Sequence, residues 1–143
     1  METEGYLKVA GAVGKECTVF WGGIGQGDIA EVRSVYYPSQ ISTAVSVDVN
    51  PDGVHEMYGL LDQRKEILLA QVHTHPGTAF HSSIDDSFPA TFLVGFLSIV
   101  VPHFCRPGFG DFSNCTVFIH TGLGQWRRLT PSEVRGRLLV LES

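Results

Sequence analysis

Residues 71–86 (QVHTHPGTAFHSSIDD) place three histidines, two serines and two aspartates in one short segment. The segment begins with the last two residues of an apolar run, EILLAQV (66–72), of the kind that forms a buried strand. Imidazole nitrogens and carboxylate oxygens are zinc ligands, and a hydroxyl can donate a hydrogen bond to a developing oxyanion. Residue type and spacing therefore indicate metal-assisted hydrolysis at the end of a strand.

The two leading histidines are suited to bind one metal ion. His73 and His75 are two residues apart, and side chains at i and i+2 of a strand point to the same face. Pro76 prevents the strand from continuing, and Gly77 lets the chain turn away. Asp86 follows eleven residues after the second histidine. Two imidazoles and one carboxylate leave the fourth tetrahedral position of zinc for water, as catalytic zinc sites require.

This spacing resembles the signature of the JAMM (MPN+/JAB) metalloprotease family, HxHPx6SxxD. His73-x-His75-Pro76, six further residues and then Ser83-x-x-Asp86 reproduce it without a gap. The aspartate alone would more simply be a helix cap, and an HxH pair alone is a weak signal. The whole cluster at these spacings is hard to explain as structure only.

The family also carries a glutamate on an early strand, followed seven positions later by a glycine. Glu16 and Gly23 match that pattern in ECTVFWGG. Many members have a glycine three positions after the glutamate, where this chain has Val19. Glu31 is the alternative candidate for the base, although its alternation with Val32 would let it face solvent.

The resemblance implies a ligand set and a mechanism. One zinc ion per chain would be bound by His73, His75 and Asp86. Glu16 would act as the general base that takes a proton from water, and Ser83 would hydrogen-bond the oxyanion. An exposed strand charge and a helix N-cap are the simpler structural explanations for these last two residues.

Neighbouring residues leave some alternatives open. A one-residue slip would replace the matched pair by Ser82 and Asp85. His81 is chemically able to bind a metal, but the family pattern does not require it, and we expect it to line the cleft. The remaining histidines lie in separate elements and are expected to be structural or exposed: His55, His103 and His120.

The resemblance also implies a substrate class. Family isopeptidases cleave after the C-terminal tail of a ubiquitin-like protein, with the tail extended beside the sheet. A short chain with these features is similar to stand-alone bacterial JAB proteins encoded beside E1-like and E2-like proteins. The alternatives are a processing peptidase for a sulfur-carrier (ThiS-like) protein and a non-catalytic MPN scaffold. A non-haem iron oxygenase also uses two histidines and one carboxylate, but not this sequential motif.

Composition excludes several other classes. The 143 residues are 43% hydrophobic and 17% charged, which suggests one globular domain over 1–143. A net charge of -5 argues against a nucleic-acid binder. The opening residues are too polar for a secretory signal, and the apolar run 92–102 is shorter than the roughly 20 residues of a membrane span.

The cysteines indicate a reducing compartment. Cys17, Cys105 and Cys115 are odd in number and show no CxxC spacing, so we interpret them as reduced thiols in a cytoplasmic protein. The sequence leaves a pairing of Cys105 with Cys115 open.

The elements that must position the site form an α+β pattern. One helix is predicted at 6–13 and another after a capping box that begins at Thr130. A third is predicted after Asn50, which would be its N-cap with Pro51 at N1. Its spacing predicts a buried stripe of Val54, Met57, Tyr58 and Leu61. The first strand is predicted at 16–21, with Gly22-Gly23 ending it. Further strands are predicted at 29–37, 45–49, 66–72, 92–101, 116–120 and 125–129. The result is a mixed, curved sheet flanked by two or three helices, and the resemblance implies an MPN/JAB-like (cytidine-deaminase-like) fold.

Overall fold

A six-stranded mixed sheet with helices on both faces positions the candidate site. The structure, a computed structural model, describes residues 2–26, 29–77, 94–108, 110 and 112–137. The helices are α1 (Glu2–Ala12), α2 (Pro51–Arg64) and α3 (Pro131–Arg137). The strands are β1 (Thr18–Gln26), β2 (Ile29–Tyr36), β3 (Gln40–Ser42), β4 (Val47–Val49), β5 (Ile67–Thr74), β6 (Leu97–Val101), β7 (Thr116–Gly122) and β8 (Gln125–Arg128). The predicted α+β class with a mixed sheet is confirmed.

The sheet has the strand order β2-β1-β5-β6-β7-β8, and β3 and β4 form a separate hairpin. Strands β5 and β6 run parallel, while the other neighbours in the large sheet are antiparallel. Thr18, His73 and Val100 lie side by side on the three central strands. Within the described part of the chain, no helix is long and apolar enough to cross a membrane.

Alternating side chains of the central strands build a core on each face of the sheet. On one face, Val19 and Val72 pack with Leu7 of α1. On the other face, Phe20 packs with Met57 and Leu61 of α2. All of these side chains are buried. Helices α1 and α2 therefore cover opposite faces, and β1 and β5 are held between them.

The prediction that β1 ends at Gly22-Gly23 is wrong, because the strand continues to Gln26. A Cβ atom on Gly22 would lie 2.5 Å from Cδ2 of Leu61, and one on Gly23 would overlap the carbonyl oxygen of Glu31. The β1–β2 register also shifts between the two glycines. They therefore admit the close approach of α2 and β2 and do not mark a turn.

Helix α2 begins as predicted. The Asn50 side chain accepts a hydrogen bond from the backbone N–H of Asp52 at 2.8 Å, as an N-cap does. Met57 and Leu61 are each 2% exposed, but Tyr58 is 38% exposed and is not a core residue. The apolar stripe is therefore narrower than the sequence spacing predicts.

Several other boundaries also differ from the predictions. Helix α1 starts at Glu2 and not at residue 6, and β3 was not predicted. Strand β6, predicted from residue 92, begins only at Leu97, because Gly95 adopts a turn conformation with φ of +96°. Residues 92 and 93 lie outside the described part of the chain. The hairpin of β7 and β8 and the C-terminal helix are confirmed. In the capping box, Thr130 and Glu133 exchange backbone-to-side-chain hydrogen bonds of 3.0 and 3.2 Å.

Candidate active site

His73 and His75 lie at the end of β5, in the middle of the sheet. His73 is the penultimate residue of the strand and is paired with Thr18 of β1 and Val100 of β6. The two imidazole rings are 5.3 Å apart between centroids and inclined at 47°. Both residues are half-buried. The pair is therefore close enough for both rings to bind one ion.

Backbone hydrogen bonds fix the segment that follows the strand. His75 donates its N–H to the carbonyl of Val101 at 2.9 Å and accepts at its own carbonyl from the N–H of Phe104 at 2.9 Å. The N–H of His103 donates to the carbonyl of Gly77 at 2.8 Å. The second histidine is thus held from β6 and from the turn that follows it.

Glu16 lies just before β1, at the same end of the sheet as the two histidines. Thr18 is paired with His73, and in the next position Thr74 donates its N–H to the carbonyl of Cys17 at 3.1 Å. Cys17 in turn donates its N–H to Oγ1 of Thr74 at 2.9 Å. Continued by one more residue, this register would bring Glu16 opposite the second histidine. Because side chains two residues apart share a face in extended backbone, we expect the Glu16 side chain on the face shared by Thr18 and His73.

The surroundings of Glu16 suit proton transfer near neutral pH. Glu16 is half-buried, and burial raises the pKa of its carboxyl to about 7. A general base works best when its pKa is near the operating pH. A carboxyl with this pKa at the same end of the sheet as two imidazoles is the main chemical feature of the site.

Glu31, the alternative base, lies on β2, opposite the far end of β1. It is paired with Ile24, six residues beyond Thr18, which corresponds to about 20 Å along the strand. Its side chain is 66% exposed and forms a 3.5 Å ion pair with Arg33. Glu31 is therefore too remote to serve the site formed by the two histidines.

The third predicted ligand and the predicted oxyanion donor, Asp86 and Ser83, lie outside the described residues. The same holds for the alternatives His81, Ser82 and Asp85. Among the residues that the structure does describe, no three His, Cys, Asp or Glu side chains come together as a metal site. The paired imidazoles are suitable donors for zinc, and the complete ligand set stays a prediction.

The other histidines and the cysteines occupy ordinary structural positions. His55 and His103 are exposed, while His120 is 3% exposed and packs its ring 5.1 Å from that of Trp126. The three cysteines are free thiols, so the Cys105–Cys115 pairing left open by the sequence does not occur. Burial raises the pKa of the Cys17 and Cys105 thiols to about 11, which disfavours the reactive thiolate.

Sequence reasoning missed the β3–β4 hairpin as a neighbour of the site. Thr43, in the hairpin loop, accepts a 2.8 Å hydrogen bond at its carbonyl from the N–H of Glu16. Gln40 in β3 contacts the backbone of Thr18. The only sequence signal for this contact is Pro38, which cannot continue the pairing of β2 with β1.

Known proteins resemble the chain in sequence and in fold. It is 32% identical over 144 residues to the probable metalloprotease y4jG of Sinorhizobium fredii (strain NBRC 101917 / NGR234), an alignment that covers 98% of this chain and 88% of that protein. No family model matches the chain. The solution structure of protein DSY2949 from Desulfitobacterium hafniense has a similar fold, with a TM-score of 0.58 at 19% identity over 90% of this chain and 83% of that one. By its near-complete alignment at this identity, the chain belongs to the family of the probable metalloprotease y4jG.

Proposed function

We propose that the chain is a zinc-dependent JAMM-type (MPN/JAB) peptidase that cleaves the bond after the C-terminal tail of a ubiquitin-like protein. The observation that carries the proposal is that Glu16, a carboxyl with a pKa raised to about 7, lies two residues before Thr18, which is paired with His73 of the adjacent His73–His75 rings. Membership in a family with a probable metalloprotease supports the peptidase class. The HxHPx6SxxD spacing supports the finer assignment.

The residues have complementary roles in this reaction. His73, His75 and Asp86 would hold zinc, which when bound supplies a Lewis acid and an acidified water. Glu16 accepts the proton of the attacking water and delivers it to the leaving amine. The Ser83 hydroxyl donates a hydrogen bond to the oxyanion of the tetrahedral intermediate.

Selectivity requires a surface that binds an extended tail near Glu16. The β3–β4 hairpin adjoins Glu16 through Thr43, and it is a two-stranded sheet that a third strand can extend. Ile41 and Val45 of this hairpin are 78% and 79% exposed. A tail added along the hairpin would gain main-chain hydrogen bonds and contacts with these apolar side chains, and small tail residues would let the scissile carbonyl approach the zinc.

The biological setting belongs to the same proposal. A cytoplasmic enzyme of this type would act beside E1-like and E2-like proteins and would either process a modifier precursor or remove the modifier from its target. Processing of a sulfur-carrier, ThiS-like protein is the alternative. A non-catalytic scaffold would not need a carboxyl with a raised pKa at the same end of the sheet as two paired imidazoles.

The test is cleavage of fusion proteins. The zinc-loaded protein is incubated with the ubiquitin-like protein encoded by a neighbouring gene, fused through its C-terminal tail to a reporter, and mass spectrometry locates the cut. We expect cleavage directly after the tail, loss of activity with a chelator and recovery with zinc. A ThiS-like fusion in parallel distinguishes the alternative substrate, and equal cleavage of casein would indicate a general metallopeptidase instead.

Matched glutamine variants test the base. Glu16→Gln removes the proton acceptor without removing a ligand, so turnover should fall by about 10²–10⁴-fold while zinc remains bound. Glu31→Gln makes the same charge change on β2, opposite the far end of β1, and should retain wild-type turnover. Retention of activity in the first variant with loss in the second would reverse the assignment.

A further inference from the structure

On the side of β1 that faces β2, Thr18 has no strand residue paired with it among the described residues. From Gly22 back to Phe20, strand β1 pairs with β2 without a register shift, with Phe20 opposite Tyr36. Continuing that register by two residues places Pro38 opposite Thr18. Proline has no N–H and cannot donate to the Thr18 carbonyl, so the ladder between β1 and β2 cannot extend to the end of β1 that lies next to the site.

The side chain of Gln40 takes the place of the missing strand. Its Oε1 accepts the N–H of Thr18 at 3.0 Å, and its Nε2 donates to the carbonyl of Thr18 at 2.9 Å. Nε2 also donates to the carbonyl of Pro38 at 2.9 Å. Since Nε2 faces two carbonyls and Oε1 faces an N–H, only this orientation of the amide satisfies all three bonds.

This amide contact lies directly across β1 from the histidines. Thr18 is bonded to Gln40 on one side and is paired with His73 on the other. Two residues before Thr18, the N–H of Glu16 donates to the Thr43 carbonyl of the same hairpin at 2.8 Å. The backbone from 16 to 18 is therefore bound to the hairpin at both of its ends.

We infer that Gln40 is a positioning residue for Glu16. Its amide mimics a β-strand partner and holds the end of β1 in register with β5, so that the Glu16 carboxyl stays opposite the histidine pair. The inference rests on the proposed function only in taking Glu16 as the base. Displacement of a catalytic group by about 1 Å can cost roughly 10²-fold in rate, so loss of the amide should reduce turnover.

The test replaces the amide without changing its size. Gln40→Met removes all three hydrogen bonds and keeps the side-chain length. We expect kcat on the cleaved fusion to fall about 10–100-fold with KM changed less than about threefold and one zinc still bound. In the metal-free variant, hydrogen exchange of the Thr18 N–H, followed by NMR, should accelerate at least about tenfold because its acceptor is lost.

Ser34→Ala is the matched control. Its hydroxyl donates a 2.6 Å hydrogen bond to Glu66, joining β2 to the residue that precedes β5 at the opposite end of the sheet. The control should leave both kcat and the exchange of the Thr18 N–H unchanged. An equal loss of kcat in the control would show a general effect of weakened packing and would overturn the positioning role.

The remaining outcomes separate this inference from the proposed function. Wild-type kcat in Gln40→Met, together with an inactive Glu16→Gln, overturns the positioning role and leaves the function intact. A raised KM with unchanged kcat would assign Gln40 to substrate binding and would also overturn it. If the wild-type protein cleaves no fusion, the proposed function fails. Hydrogen exchange still tests the Gln40 contact in that case, and an unchanged exchange rate of the Thr18 N–H in Gln40→Met would overturn it.

Discussion

Replacement of Glu16 by glutamine should make the metal-free protein more stable at alkaline pH. Burial raises the pKa of this carboxyl from 4.5 to about 7. Below pH 4.5 the group is protonated in both the folded and the unfolded chain, so it costs no stability. As pH rises from 4.5 to about 7, the unfolded chain ionises first, and the folded state loses stability. Glutamine has nearly the same size and no charge to desolvate, so it avoids this loss.

The size of the effect follows from the shift in pKa. The pKa of Glu16 differs by about 2.5 between the unfolded and the folded chain, which corresponds to roughly 3.4 kcal/mol of unfolding free energy for a carboxyl fully shielded from solvent. Glu16 is only half-buried, and solvent screening reduces the effect on stability to about 1–2 kcal/mol. Because part of the loss has already developed at pH 5, the difference in unfolding free energy between the variant and the wild type should widen by about 1 kcal/mol from pH 5 to pH 8.

Urea unfolding in the presence of a chelator measures this difference. Wild type, Glu16→Gln and the control Glu31→Gln are compared at pH 5 and pH 8 by circular dichroism. Glu31 is exposed, so its variant should show no such pH-dependent gain. The reasoning is refuted if both variants gain equally at pH 8, or if the gain of Glu16→Gln is as large at pH 5 as at pH 8.

Three further predictions concern the metal, the glycines and the thiols. Metal analysis should find one zinc per chain in the wild type and none in His73→Ala or Asp86→Ala. His81→Ala should keep its zinc. Zinc retained in Asp86→Ala and lost in His81→Ala would show the ligand set to be wrong. Gly23→Ala should lower the unfolding free energy by about 1–3 kcal/mol because a Cβ would overlap the β2 backbone, whereas Gly59→Ala, with no atom within 4 Å of the added Cβ, should not be destabilising. Thiol titration of the unreduced, denatured protein should count three, and a count of one would indicate a disulfide.

The features that sequence predicted well are those with local signals. The N-cap at Asn50 and the capping box from Thr130 to Glu133 depend on side chains within three residues of the backbone groups that they bind, and both are observed. The adjacent rings of His73 and His75 likewise follow from the two-residue period of a strand. Such signals do not depend on how distant elements pack.

The features that sequence reasoning missed depend on contacts between distant segments. Gly22 and Gly23 were expected to end a strand, because nothing in the local sequence shows that α2 and β2 approach β1 so closely. Tyr58 has the spacing of a core residue but lies at the margin of the helix surface that faces the sheet. The contact of Gln40 with Thr18 joins residues 22 positions apart through a side chain, and composition and periodicity carry no sign of it.

The turn at His103–Cys105 connects helix α1 to the histidine segment. Its three residues have positive φ angles of 55°, 53° and 61°, a backbone conformation that costs non-glycine residues about 1–3 kcal/mol each. Two contacts with Gly11 of α1 oppose this cost. Phe104 is buried against Gly11, where an added Cβ would lie 2.5 Å from the Phe104 carbonyl oxygen. Arg106 donates a 3.3 Å hydrogen bond to the Gly11 carbonyl. The same turn donates backbone hydrogen bonds to the carbonyls of His75 and Gly77. The packing of α1 therefore helps to hold the second histidine in place, from the face of the sheet opposite α2.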